Sequence, residues 1–477
     1  MNILHGILIT INALLVMVTA GHALLYKRDP RAALGWISVC VIFPFAGPFL
    51  YILFGVNRVQ TRAKKLHRRL PFPLEPGYEP SEEKSNTALP SVHVAPEFSD
   101  IARISDTVTM RSLVEGNRIQ LLQNGEQAYP AMLEAIEGAR KSLFLASYIF
   151  DTNDTGRTFI EALSRATGRG IDVRVIIDGV GELYSFPRAG TLLKKRGVRV
   201  ARFIPPRVFP PMLHINLRNH RKILVTDGLI AFTGGMNIGD RHLADNLDNP
   251  SRVEDLHFRI TGPVTSQVEQ VFLEDWSFCT GEHTVQEPAR TVHSGNAICR
   301  TIVEGPNEDM DKLSSILVGA VSVARYRVLI MTPYFLPSRA LIAAMQTAAL
   351  RGVAVDIILP GKNNLPFVHW ASRNMLWELL QRGIRVYYQP PPFVHTKLFI
   401  VDDQYAQIGS ANMDPRSLRL NFEMAMEIYD REVVAGFTAH ALEKIGQSQE
   451  ISLKDVDTRP LFARIRDGLS WLFTPYL

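Results

Sequence analysis

Cysteine is scarce in this 477-residue chain: Cys40, Cys279 and Cys299 are the only three, too few and too scattered for a disulfide framework or a zinc ribbon. No dense carboxylate or Cys/His cluster is present, so the sequence offers no ready-made metal site. Whole-chain disorder is excluded as well, because 46% of residues are hydrophobic and 21% charged, a composition able to bury a core. Charge is missing altogether from two places. Ile3–Tyr26 and Ala32–Phe54 contain no Lys, Arg, Asp or Glu over 24 and 23 residues, and each run suffices to cross a hydrocarbon core of about 30 Å.

The break between the runs, Lys27-Arg28-Asp29-Pro30-Arg31, reads as a polar turn, so residues 1–57 are expected to form a transmembrane hairpin with spans of about 3–26 and 32–54. A cleaved signal peptide fits poorly, since no basic region precedes the first run and the run is too long. Pro44 and Pro48 allow the second span to be kinked or re-entrant. Arg58, Arg62, Lys64, Lys65, Arg68 and Arg69 follow with no acid among them. By the positive-inside rule that cluster, and the rest of the chain with it, is expected on the cytoplasmic side, against anionic headgroups. Residues 58–99 form this basic flank and then a linker rich in Pro and Glu.

The charge balance follows the same division. The whole chain carries a net +5, yet residues 1–69 hold nine basic residues and one acidic, leaving 43 basic against 46 acidic in residues 70–477. The basic excess belongs to the anchor and its flank. A nucleic acid partner is therefore not expected, and an anionic membrane partner is.

Beyond residue 99 apolar β-type runs alternate with amphipathic helical stretches. Leu143–Phe150, Val173–Asp178, Ile223–Thr226 and Leu256–Ile260 read as strands in one half, and Val328–Phe335, Val355–Leu359, Ile384–Tyr388 and Leu398–Val401 in the other. Helices such as Ala128–Lys141 and Arg339–Arg351 fall between them, which is the order of an α/β fold. The halves repeat. His220, Lys222, Asp227, Gly234, Gly235 and Asn237 match His395, Lys397, Asp402, Gly409, Ser410 and Asn412 with every gap preserved, and Ser142–Phe150 echoes Arg325–Phe335.

On a strand, His and Lys two residues apart point to one face. Two copies facing each other would assemble two imidazoles, two ammoniums and two amides, a set suited to displacement at a phosphodiester. One neutral imidazole attacks phosphorus, and the other donates to the leaving alkoxide and then deprotonates the incoming hydroxyl. Lys222, Lys397, Asn237 and Asn412 would hold the non-bridging oxygens. Fixed cations make a metal or other cofactor unnecessary.

This pattern resembles the double HKD motif of the phospholipase D superfamily, and nearly the whole chain is similar to bacterial cardiolipin synthases. The resemblance rests on Trp36, Pro44, Gly47-Pro48, Tyr51 and Gly55; on Gly116-Asn117, Asn124-Gly125, Tyr148-Ile149-Phe150, Asn219-His220-Arg221-Lys222, Gly262-Pro263 and Asp275-Trp276; and on Asn412–Ser417 with Asn421-Phe422-Glu423. It implies two duplicated phospholipase D-like α/β/α sandwich domains in a pseudo-two-fold arrangement, over residues 100–290 and 291–477. It also implies phosphatidyl transfer between two phosphatidylglycerols, giving cardiolipin and glycerol through a phosphohistidine, at the cytoplasmic (inner) membrane of a bacterium. Asp227 and Asp402 complete the catalytic set it implies, bracing the motif rather than touching substrate. Asp255 is the acid matched to the first motif and Glu423 to the second, each orienting a histidine, with Gly235 and Ser410 in support. Related enzymes often carry Arg before the first acid, a residue this chain lacks, with Glu254 in its place. His220 is the nucleophile favoured by resemblance. A hydrolase or transphosphatidylase with another donor or acceptor, and a membrane-tethered nuclease of the same fold, are the alternative readings. Phe203–Leu213 and Pro391-Pro392-Phe393 are apolar stretches near the motifs that suit a lipid. Leu461–Leu477 is either an interfacial helix or one packed back on the body.

Overall fold

The computed structural model describes residues 3–27, 30–55, 92, 94–206, 217–282, 292–305 and 311–474. The basic flank 58–69, nearly all of the linker, Arg28 and Asp29 of the turn, and residues 207–216 of the apolar stretch before the first motif lie outside the described residues. The chain divides into two units, residues 1–69 and 70–477.

In the first unit, Ile3–Tyr26 is one helix of 24 residues, and among the described residues it is the one helix long and apolar enough to cross a membrane. The second expected span is not a single helix. It runs helically from Pro30 to Ile42, breaks where Pro44 cannot donate a backbone hydrogen bond and Phe45 adopts a left-handed φ of 58°, and resumes at Ala46–Leu50 and Tyr51–Gly55. The backbone N–H of Phe45 donates to Asn12 Oδ1 at 2.8 Å, while Tyr51 Oη lies 2.7 Å from His22 Nδ1. Asn12 and His22 are about 15 Å apart along their helix at 1.5 Å per residue. The second segment thus descends to the level of Asn12 and returns to the level of His22, near the turn it started from. Gly47 makes the return possible, because a Cβ there would lie 2.2 Å from the Val39 carbonyl oxygen.

The second unit is a duplicated α/β body. Its first half supplies β1 (Val114–Gln123), β2 (Ser142–Ser147), β3 (Asp172–Asp178), β4 (Arg199–Phe203), β5 (Ile223–Thr226), β6 (Ile230–Gly234), β7 (Val253–Glu254) and β8 (Leu256–Thr261). The second supplies β9 (Ala297–Glu304), β10 (Arg327–Met331), β11 (Ala354–Pro360), β12 (Arg385–Gln389), β13 (Phe393–Val394), β14 (Leu398–Val401), β15 (Tyr405–Gly409), β16 (Glu423–Tyr429) and β17 (Gln449–Ile451). The order β4-β3-β2-β5-β6-β8-β1 is mirrored by β12-β11-β10-β14-β15-β16-β9, with β17 added at one edge. The expected strands are all present. Antiparallel pairing of β1 with β9 joins the two expected sandwiches into one fifteen-stranded sheet.

Each half has its own apolar cluster, the first around Phe159, Leu163 and Leu224, the second around Ile316, Met345 and Phe399. A third is shared: Phe258, Phe272 and Trp276 pack with Ile400, Met424 and Phe437. Fully buried cores of this kind lose about 2–5 kcal/mol for each large side chain truncated, so the halves are not free to move apart. One segment crosses the expected boundary. Helix Ser99–Thr109 precedes the first half in sequence but buries Ile101 and Ala102 in the core of the second.

Candidate active site

The strand positions of the repeat explain where the motif residues lie. β5 and β14 are central, and each begins one residue after the motif lysine. The segment just before each strand leaves its own sheet and pairs with the other half. The His220 N–H donates to the Phe422 carbonyl at 2.9 Å and the His395 N–H to the Glu254 carbonyl at 2.8 Å, the latter extending the parallel pairing of β13 with β7. Each histidine is therefore held beside the residue preceding an acid of the opposite half.

That pairing decides the acid partners. His220 Nδ1 lies 3.1 Å from Glu423, and His395 Nδ1 lies 2.8 Å from Asp255 Oδ2. The sequence matched Asp255 to the first motif and Glu423 to the second; the structure exchanges them. Each ring also has a carbonyl next to it, that of Ser410 3.2 Å from His220 Nδ1 and that of Gly235 bonded to His395. Ser410 Oγ donates to Glu423 at 2.5 Å. A Cβ at Gly235 would come within 2.3 Å of the Asp255 carboxylate, so only glycine fits there. With Nδ1 occupied in both rings, Nε2 is the atom each histidine has left for chemistry.

The mount of His220 is rigid. Asn219 Nδ2 donates to Asp275 at 2.8 Å and Arg221 donates to the same carboxylate at 2.5 Å. Arg218 pairs with Asp178 at 2.9 Å, both being buried. Glu254 accepts from Lys444 at 3.1 Å and from Gln389 at 2.9 Å, tying the halves together beside Asp255.

Burial governs the electrostatics. It pushes the His220 imidazole below its ordinary pKa, with Lys222 and Lys397 acting the same way and Glu423 opposing. His395 is driven well below by burial and then by Lys397, Lys222 and His220. Burial lowers Lys222 to about 7 and Lys397 to about 8. It alone would raise Glu423, but the charges of His220 and Lys222 and the hydrogen bonds from His220 and Ser410 overcome it and hold the carboxyl below its usual range. Asp255 is raised by burial despite Lys397. These groups act on one another across the pseudo-dyad and form a single site.

The motif aspartates are elsewhere. Asp227 accepts from the backbone N–H groups of Arg140, Lys141 and Ser142 at 2.9, 2.7 and 3.0 Å. Asp402 accepts from those of Arg325, Tyr326 and Arg327 at 2.8, 2.7 and 2.9 Å. Each stands at the far end of its strand, five residues from the motif lysine and so about 16 Å away. Neither braces the lysine; both fasten the start of the neighbouring strand.

Between the halves opens a cleft of about 690 Å³, lined by His220, His395, Asn237 and Asn412. Asn237 Oδ1 accepts from the Ile149 N–H at 3.1 Å, whereas Asn412 Oδ1 is buried with no partner among the described residues. The expected apolar stretch Pro391-Pro392-Phe393 lines the same cleft. Two further residues were given no role at the site by the sequence reading. Tyr148 stands edge-on to His220 at 5.3 Å and Tyr334 edge-on to His395 at 6.3 Å. Both fall in the upstream repeat Ser142–Phe150 and Arg325–Phe335, where the matching tyrosines were a readable signal.

Known proteins resemble the chain along nearly its whole length. Residues 132–276 and 317–444 match the family described as cardiolipin synthase, phospholipase D-like domain, and residues 13–55 match the phospholipase D-nuclease N-terminal family. The chain is 30% identical to cardiolipin synthase A of Pseudomonas putida strain KT2440 over 485 aligned positions, covering 99% of this chain and 98% of that one. It is 28% identical to the major cardiolipin synthase of Bacillus subtilis, covering 100% and 99%. The fold is shared with the crystal structure of phosphatidylserine synthase from Haemophilus influenzae, at a TM-score of 0.61 and 14% identity over 79% of this chain and all of that one.

Proposed function

The chain belongs to the cardiolipin synthase family of phospholipase D-like enzymes, and from that premise we propose how its residues carry out the transfer. It is a membrane-associated phosphatidyltransferase that makes cardiolipin from phospholipid. The donor and acceptor we assign are two molecules of phosphatidylglycerol. His220 Nε2 attacks the phosphorus of the first and the bond to the head-group glycerol breaks. With the anionic phosphodiester in the cleft, its charge favours the protonated His395 ring, and the Nε2 proton of that imidazolium goes to the departing alkoxide, releasing glycerol and leaving a phosphohistidine. His395 then takes the proton from a head-group hydroxyl of the second phosphatidylglycerol, whose oxygen displaces His220 and forms cardiolipin. One phosphodiester replaces another, so no external energy source enters the balance.

The observation that carries this reading is the crossed pairing of the two imidazoles with Glu423 and Asp255. An ionised Glu423 offsets the positive charge that the His220 ring gains on attack. Lys222, Lys397 and Asn237 are assigned to the non-bridging oxygens, and the unpartnered Asn412 Oδ1 to a glycerol hydroxyl. Asp227 and Asp402 are assigned no step.

The chain is organised as a membrane anchor (1–57), a flank and linker (58–99) and two halves (100–290 and 291–477) around one active site, with the helix that opens the first half packed into the second. The return of the second apolar segment supports a single crossing. All nine basic residues of the first 69 follow that crossing in sequence and so count toward the same side. The positive-inside rule puts that side, and the catalytic body, in the cytoplasm, with the N-terminus opposite. Purified full-length protein supplied with phosphatidylglycerol alone should yield cardiolipin and free glycerol in equal amounts; phosphatidic acid as the sole lipid product overturns the proposal.

A further inference from the structure

The C-terminal helix Leu461–Leu472 is built inside out. At 100° per residue, Leu461, Phe462, Ile465, Leu469, Leu472 and the following Phe473 fall within an arc of about 120°. All six are more than half exposed, Phe462 reaching 81%. The opposite side, which packs on the body, carries Asp467 and Ser470, both buried. A helix at the surface of a soluble domain does the reverse.

Its rotation is fixed by charge. The Asp467 carboxylate accepts from Arg459 and from Arg466 at 2.7 Å, with Arg373 3.8 Å away, and Arg466 lies over the Trp370 ring at 4.3 Å. Turning the apolar arc inward would strip the carboxylate of these partners and bury the apolar side chains among guanidiniums, so the exposure is held by the fold.

The arc continues to the catalytic cleft. Phe473 packs on Phe367 with ring centroids 5.9 Å apart, and Phe367 and Leu365, both exposed, line the cleft. On the first half Tyr184 lines it too, with Phe186 95% exposed two residues on. Lys362, exposed, lines the cleft as well, and Arg464 is exposed on the helix.

We propose that this face is a second membrane contact, seated in the headgroup and upper acyl region of an anionic bilayer, so that the cleft opens onto the lipid surface. Three observations favour a bilayer over a protein partner: continuity with a cleft that takes phospholipid, cations at its edge that complement anionic headgroups, and an anchor on the same chain that keeps the body at a membrane. The proposal rests on the reading of the substrate as a membrane lipid.

The test uses the full chain in nanodiscs of phosphatidylglycerol and phosphatidylcholine. An environment-sensitive fluorophore is attached at Leu469→Cys or, as a control, at exposed Glu432→Cys, in a Cys279→Ala background, since Cys40 and Cys299 are buried. Doxyl-labelled lipid should quench the probe at 469 and leave that at 432 unchanged. Quenching at 469 by aqueous iodide instead, or shielding from both quenchers by a second copy or another protein, overturns the proposal. In parallel, the double variant Phe462→Asp/Ile465→Asp should lose at least tenfold in rate on bilayer phosphatidylglycerol while staying within twofold of the parent on short-chain phosphatidylglycerol below its micelle concentration. Equal loss on both substrates, or loss on neither, overturns it. The short-chain assay reads the chemistry alone, so a failed docking and a failed reaction give different results.

Discussion

Replacing Glu423 by Gln tests the crossed architecture at its centre. Glu423 is fully buried, lies 3.1 Å from His220 Nδ1 and receives the Ser410 hydroxyl. Glutamine keeps the shape and one carbonyl acceptor, so the main loss is a negative charge beside a ring that becomes positive on attack. Two unit charges about 4 Å apart at an effective dielectric of about 20 interact by about 4 kcal/mol, and 1.36 kcal/mol is one decade of rate. The retained hydrogen bond and relaxation return part of this, so Glu423→Gln should lower the rate of phosphoenzyme formation by about a hundred- to a thousandfold. Glu423 also raises the His220 pKa, so the variant's imidazole should titrate lower still, whereas Asp255→Asn should act mainly on His395. The assays are rapid quench with head-group-labelled phosphatidylglycerol, which reads glycerol release in a single turnover, and NMR titration of the two imidazoles. If Asp255→Asn moves the His220 titration and Glu423→Gln leaves it in place, the pairing across halves is wrong. If Glu423→Gln keeps full single-turnover speed, the charge-compensation argument fails.

Three other outcomes follow from the same geometry. Asp227→Ala or Asp402→Ala removes a carboxylate that satisfies three backbone N–H groups and should cost about 2–3 kcal/mol of stability, read as a lower Tm, with kcat of the folded fraction within about threefold; a loss of kcat without loss of Tm contradicts their placement. In the free enzyme Lys222 and Lys397 carry charge only below about 7 and about 8, so kcat/KM for the anionic lipid should fall as pH rises through that range. The same depression means that the unfolded chain binds more protons than the folded one from about 7 up to the ordinary lysine value of 10.5, so these two lysines contribute stability that increases with pH across that window; a flat kcat/KM between about pH 6.5 and 8.5 refutes the role of the ammoniums. For topology, a cysteine placed at Asn2 should react with a membrane-impermeant maleimide added outside intact cells and one placed at Glu97 should not, while two full crossings would leave both unreactive.

Local sequence was enough for the elements and for the repeat, because strand periodicity, the apolar runs and a motif with conserved spacing are properties of neighbouring residues. The strands at the motifs were therefore readable, as were the residue types at the site, and Tyr148 and Tyr334 were within reach of the same repeat. The central strands β1 and β9 were not, since their status comes from pairing with each other across the join. Helix Ser99–Thr109 was assigned to the half that follows it, because nothing local shows that Ile101 and Ala102 fill the core of the other.

Three decisions belonged to tertiary structure alone. Which acid serves which histidine depends on the segments before β5 and β14 pairing with the opposite half, a contact between residues some 140 to 200 positions apart. The course of the second apolar segment depends on Asn12 and His22 meeting Phe45 and Tyr51, where hydrophobicity by itself suggested a second crossing. The direction in which the last helix faces depends on three arginines converging on Asp467. In each case the deciding free energy lies in polar groups that must find partners once water is removed, and at least one of those partners is distant in the chain, as Arg373 is from Asp467. Residue types in a repeated pattern specify the chemistry the protein carries, and the fold selects which groups act on one another.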